Sequence, residues 1–207
     1  MTMRLAPDGT EVRITIPRWG RTVEALDFAR SRRTWLERQL AALPAPQQVC
    51  SGATIQFRGQ PLLLEHDSTG PRQPVLSAGI LRIGGPEAAV GSRAQRWLHR
   101  EARALIAEEL THYCARAGQP AVQLALSNAR RRWGSCAANG SIRINWRLVM
   151  APDLVRRSVV AHEVAHLVHF DHSPAFHACL AELFEGEVAS ANAWLKREGR
   201  SLYAPFG

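Results

Sequence analysis

The chain has 207 residues, 46% of them hydrophobic, enough to bury a full-sized core as one domain or one with a small N-terminal extension. Its formal net charge of +8 comes from arginine, since Lys196 is the only lysine; such a surface favours polyanions, nucleic acid or an acidic membrane face, but no lysine-rich tract or nucleic-acid module appears, and a basic surface set by genome composition is the preferred reading. The cysteines (Cys50, Cys114, Cys136, Cys179) have no metal or disulfide-framework spacing, no apolar run approaches about 18 residues, and the first 18 residues lack a signal-peptide core, so a reduced, cytoplasmic protein without a membrane span is expected.

Taken in order, Val12, Ile14 and Ile16 alternate with polar residues up to Pro17, the pattern of a half-buried strand. Helical spacing of Val23, Leu26, Trp35, Leu36 and Leu40 predicts one helix over about 22–43, stopped by Pro44 and Pro46. Residues 55–57 and 62–64 flank Arg58-Gly59-Gln60-Pro61 as a hairpin, 67–74 is turn-rich, and 80–83 is another short strand closed by Gly84-Gly85-Pro86. Residues 1–90 thus read as an N-terminal β-rich subdomain with one or two helices, and residues 91–207 as the core of the protein.

Ser92 with Gln95 three residues later suggests a capping box opening a helix that runs to about Arg116 and stops at Gly118. Its apolar stripe is Trp97, Leu98, Leu105, Ile106, Leu110 and Tyr113, suited to packing behind a second helix. Residues 122–126 alternate as a strand, and Asn139-Gly140 is a hairpin signal with 141–148 as the returning strand. Pro152-Asp153 opens the next helix.

That helix carries the chemistry. From Val159 the sequence reads V-V-A-H-E-V-A-H-L-V-H-F-D-H. His162, Glu163 and His166 are costly in so apolar a run unless something compensates their burial, and a metal ion would do so. On a helix His162 and His166 lie one turn apart, about 6 Å along the axis, on one face, with Glu163 about 100° round from His162. This is the H-E-x-x-H pattern of zinc peptidases, with the glutamate as general base. A catalytic zinc wants three protein ligands and an open position. His169 would stand about 10 Å up the axis from His162, too far for bonds of about 2 Å, so the helix must end and the chain turn back. Pro174 resists continuation, Ser173 suits the N-cap of a new helix over about 175–185, and His172 sits in the corner as the third ligand.

The segments Arg131-Arg132-Trp133-Gly134-Ser135-Cys136, Ile142-Arg143-Ile144-Asn145-Trp146-Arg147-Leu148, His162-Glu163-Val164-Ala165-His166 and His172-Ser173-Pro174-Ala175-Phe176 occur in an order that resembles the YgjP-like metallopeptidases, relatives of the SprT-like proteases. The resemblance covers about 124–176, with a similar N-terminal layout. It implies an α+β fold, a small N-terminal sheet and helix followed by a zincin-like core whose β-hairpin sheet packs on the H-E-x-x-H helix. It also implies Zn2+ held by His162, His166 and His172. His177 stands where the family usually has tryptophan, and reads as a solvated or packed helix residue, an extra polar group in the cleft, or a competing ligand. The spacing from His162 to His172 equals that of metzincins, but no methionine follows His172, which removes that assignment. Glu182 or Glu185 stays open as an alternative third ligand.

The expected activity is hydrolysis of peptide bonds in a peptide or protein substrate, with Glu163 taking a proton from zinc-activated water. Arg131, Arg132, His169 and His177 are candidates for stabilising the oxyanion, and the strand over 141–147 for pairing with an extended peptide. Trp133 and Cys136 read as structural. Two other functions compete: a SprT-like nucleic-acid-associated protease, motivated by the charge, and a non-catalytic zinc-binding protein, against which Glu163 argues.

Overall fold

The computed structural model describes residues 1–6, 9, 11–41 and 45–207. It is an α+β protein with three small sheets. Strands β1 (Thr2–Leu5) and β2 (Val12–Thr15) form an antiparallel ribbon; β3 (Thr54–Phe57), β4 (Gln60–Asp67), β5 (Val75–Ser77) and β6 (Ile80–Gly84) form a sheet ordered β3-β4-β6-β5. The third sheet, ordered β7-β9-β8, holds β7 (Leu124–Ser127), β8 (Gly134–Cys136) and β9 (Ile142–Asn145).

The expected helix over 22–43 is two helices, α1 (Thr22–Ser31) and α2 (Arg33–Ala41), and the end placed at Leu43 and Pro44 lies outside the described residues. The break has a local cause. The Ser31 hydroxyl donates to the Phe28 carbonyl at 2.8 Å, the acceptor that the Arg32 N–H would use in a continuing helix, and Arg32 N–H turns to Ala29 instead. No residue of either helix is buried.

In the β3–β4 hairpin, Arg58 and Gly59 both have positive φ, 53° and 76°, the geometry of a tight type I′ turn. A Cβ on Gly59 would stand 2.9 Å from Pro152, so glycine is needed for proximity as well as conformation. Arg58 and Gly59 N–H groups bond the carbonyls of Val149 and Met150, and the Arg58 guanidinium forks onto the Asp153 carboxylate. The hairpin therefore clamps the start of α4 (Asp153–Val168).

Helix α3 (Val90–Arg116) begins two residues before the expected capping box; Ser92 instead donates to the Ala89 carbonyl. Trp97, Leu98, Ile106, Leu110 and Tyr113 are buried on the stripe the spacing marks, and α3 packs against α4, β4 and β6. A chelating Arg156–Glu109 pair, closest at 2.7 Å, joins the two helices inside the core. That core is continuous: Ile55, Leu62, Leu64, Leu81 and Ile83 of the four-stranded sheet share it with α3, β9 and α4.

β9 is shorter than the expected 141–148 because the Asn145 side chain accepts the Arg147 N–H, curling Trp146–Val149 into a 3-10 turn. Helix α4 ends at Val168, and His169 is extended. Ser173 caps α5 (Pro174–Leu183), its hydroxyl accepting from Phe176 N–H, with Pro174 in the first turn as expected. Helix α6 (Val188–Glu198) and a 3-10 turn over Gly199–Tyr203 close the chain. Among the described residues no helix is long and apolar enough to cross a membrane, and the four cysteines are free.

Candidate metal centre

One turn of α4 places His162 and His166 side by side, and the corner after Val168 swings His172 back onto them. Their Nε2 atoms converge: His166 to His162 is 3.2 Å and His172 to His162 is 3.3 Å. All three candidate ligand atoms lie within 4.8 Å of one another. Nitrogens bound at about 2.0–2.1 Å with tetrahedral angles would sit about 3.3–3.4 Å apart, so the two separations from His162 fit one small dication. Phe176 of α5 forms the floor, with ring centroids 5.0, 4.6 and 4.8 Å from His162, His166 and His172. Its side chain is fully buried and fixes the angle at which α5 meets α4.

The electrostatics suit metal binding. Burial, reinforced by the neighbouring histidines, pushes His162 down to about 4, so its ring is neutral at pH 7. His166 Nδ1 faces the His169 carbonyl at 3.1 Å, which sets Nδ1 as the donor and leaves the Nε2 lone pair for the cluster.

Glu163, on the next helical position, is also buried. Burial pushes its carboxyl up to about 7, against the opposing pull of the Cys136 backbone N–H and the charge of Arg132. The β8 segment is shaped around it. A Cβ on Gly134 would stand 2.4 Å from Glu163 Oε1 and 2.6 Å from its Cγ, so only glycine leaves room for the carboxylate. Sequence reasoning missed this contact; the signal was the glycine inside R-R-W-G-S-C, which reads as a turn but lies in a strand.

The register of β8 shows which backbone groups are free for other partners. Asn145 N–H bonds the Trp133 carbonyl and Ala137 N–H the Ser141 carbonyl, with Ser135 opposite Arg143 between them. Odd-numbered residues thus face β9, and Gly134 and Cys136 face the open side, where Cys136 meets Glu163. This corrects the expectation for 141–147: β9 is the central strand, paired on both sides, and cannot add a peptide. The edge beside Glu163 is β8.

The remaining candidates lie apart. Glu185 accepts from Tyr113 Oη at 2.7 Å and pairs with Arg157 at 2.6 Å, which commits it away from the histidines; Glu182 is outside the cluster. His177 is exposed, its ring 6.5 Å from that of His172. His169 contributes its carbonyl. Arg131 and Arg132 are exposed, and Arg132 is close enough for its charge to reach Glu163. Trp133 is half-buried against Tyr203, and burial pushes the Cys136 thiol above its ordinary range, aided by Glu163, which leaves it protonated and structural.

Comparison with known proteins matches residues 1–198 to the family described as YgjP-like, metallopeptidase domain. Among solved structures, the crystal structure of the metallopeptidase zymogen of Pyrococcus abyssi abylysin is similar to this chain at 20% identity and a TM-score of 0.41, over 46% of this chain and 96% of that one. No curated protein matches.

Proposed function

The chain belongs to the YgjP-like metallopeptidase family and is a peptidase, and from that premise we propose that it is a zinc-dependent hydrolase of peptide bonds in which His162, His166 and His172 hold the metal and Glu163 is the general base. The observation that carries the reading is the convergence of three imidazole nitrogens within 4.8 Å of one another, two of the separations being 3.2 and 3.3 Å, beside a buried carboxylate that holds none of the positions in the cluster. Bound there, zinc supplies Lewis acidity that acidifies water and polarises a carbonyl. Glu163 takes the proton from the attacking water at its carboxylate and returns it to the departing amine nitrogen. Gly134 and Cys136 keep that carboxylate in one position, the first by leaving space and the second by donating its N–H. The open side of β8 at Gly134 offers backbone groups to an extended substrate.

Two substitutions separate holding the metal from using it. Glu163→Gln keeps the shape but cannot carry a proton; zinc content should remain near wild type while peptidase activity falls about 10²–10⁴-fold. His172→Ala should lose most of its zinc by metal analysis. Unchanged cleavage by Glu163→Gln would remove the general-base assignment, and full zinc retention by His172→Ala would remove the third ligand.

A further inference from the structure

A cavity of about 670 Å³ opens beside β8, walled by the β1–β2 ribbon, the 130–133 loop and the end of α6. Its lining is strongly one-signed. The ribbon contributes Arg4 and Arg13, the loop three consecutive arginines at 130–132, and the C-terminal segment Lys196 and Arg200, with Glu11 as the one carboxylate among the described lining residues. This one groove concentrates most of the excess positive charge of a +8 chain. Low-dielectric walls around charges of one sign raise the local potential and the occupancy of anions.

The groove adjoins the strand that packs on Glu163. Trp133 lines it, and the following residue is Gly134, whose backbone touches Glu163. Arg132 lines the groove and also acts on Glu163 through its charge. A chain paired on the open side of β8 would pass the arginine-walled space at the N-terminal end of that strand, where Trp133 lines it.

We propose that the groove binds an acidic stretch of the peptide substrate, a run of Asp or Glu flanking the scissile bond; this rests on the peptidase reading and names the class of substrate it selects. Arginine suits the role because its planar fork pairs bidentately with carboxylates. A single-stranded nucleic acid fits less well, since it needs open aromatic faces for its bases. Two of the three aromatic residues here are already engaged: Trp133 and Tyr203 pack at 5.7 Å between centroids, and the Trp133 ring presses on Gly199, where a Cβ would meet it at 2.9 Å. The groove is built to read charge.

The test is binding to full-length Glu163→Gln protein, so that cleavage does not interfere. The probes are a fluorescein-labelled decapeptide carrying four consecutive glutamates, the same peptide with glutamines, and labelled dT10, measured by fluorescence anisotropy at low and moderate salt. The glutamate peptide should bind at least tenfold tighter than the glutamine peptide, and weaken as salt rises. Arg4→Glu with Arg131→Glu, both exposed, should cost at least another tenfold. If that pair disturbs folding by its melting curve, Lys196→Glu, exposed on α6, should still weaken binding about threefold. Equal binding of the two peptides, or no loss in any charge variant, overturns the proposal. Tighter binding of dT10, lost in the same variants, overturns it in favour of a nucleic-acid groove. The peptidase reading stands or falls separately, on cleavage by wild type against Glu163→Gln.

Discussion

Helices α1 and α3 carry the same kind of apolar stripe, yet only that of α3 is buried. Leu98 on α3 is 0% exposed, whereas Val23 and Leu26 on α1 are 66% and 52% exposed. The difference lies in what the neighbouring chain offers. α3 lies between the four-stranded sheet and α4, where Ile83, Leu64 and Val160 close round it, while α1 and α2 lie on the surface with no buried residue. Periodicity shows which face would be buried, and tertiary packing decides whether it is.

The largest effect should come from breaking the packed side. Leu98→Ala removes a fully buried side chain from the centre of the core, where the surroundings are held by two helices and a sheet and collapse only in part. A loss of about 2–5 kcal/mol in denaturant unfolding is expected, with m unchanged.

A smaller stability effect with a larger effect on turnover is expected at Gly134. An added methyl would meet Glu163 at 2.4 Å, so the carboxylate or the strand must shift. Gly134→Ala should destabilise by about 1–3 kcal/mol, the range of overpacking, and should lower kcat by up to about 10²-fold through misplacement of the Glu163 carboxylate. A variant with wild-type kcat would show that the carboxylate works equally well from another position.

The clamp on α4 gives a pH-dependent contrast. Burial pushes the Asp153 carboxyl up, but the Arg58 hydrogen bonds and the charge of Arg156 outweigh it and hold the group below the ordinary carboxylate range. A depressed folded-state value contributes stability that is complete above the unfolded value, near 4, and is lost as pH falls through the folded value. Asp153→Asn should therefore lower Tm more at pH 7 than near pH 3, so that the acid limb of the Tm profile flattens. An equal drop at both pH values would assign the loss to packing instead.

The H-E-x-x-H helix, its N-terminal opening and the Ser173-Pro174 corner are legible because each is set by local chemistry: three polar residues in an apolar run, a proline, a cap. Residues 22–43 carry the spacing of one helix because periodicity spans the Ser31 hydroxyl bond that divides it. β1 escaped because Met3 and Leu5 alone make too short an alternation. The order β7-β9-β8 was hidden because β7 pairs parallel to β9, a long-range choice that no turn residue announces, and with it went the identity of the edge strand. The Gly134–Glu163 contact joins residues 29 positions apart in sequence and shows only when the strand meets the helix.

The smallest effect should come from the unpartnered side of the comparison. Leu26→Ala on α1 removes apolar surface that water already reaches, so little transfer free energy is lost, and alanine has slightly the better helix propensity. Stability should change by less than about 0.5 kcal/mol, the range for surface substitutions. The same leucine-to-alanine change at 98 and at 26 thus becomes a direct measure of what packing adds to periodicity. A loss at Leu26 comparable with that at Leu98 would mean that the α1 face is covered in solution, by a second copy of the chain if the loss shrinks on dilution.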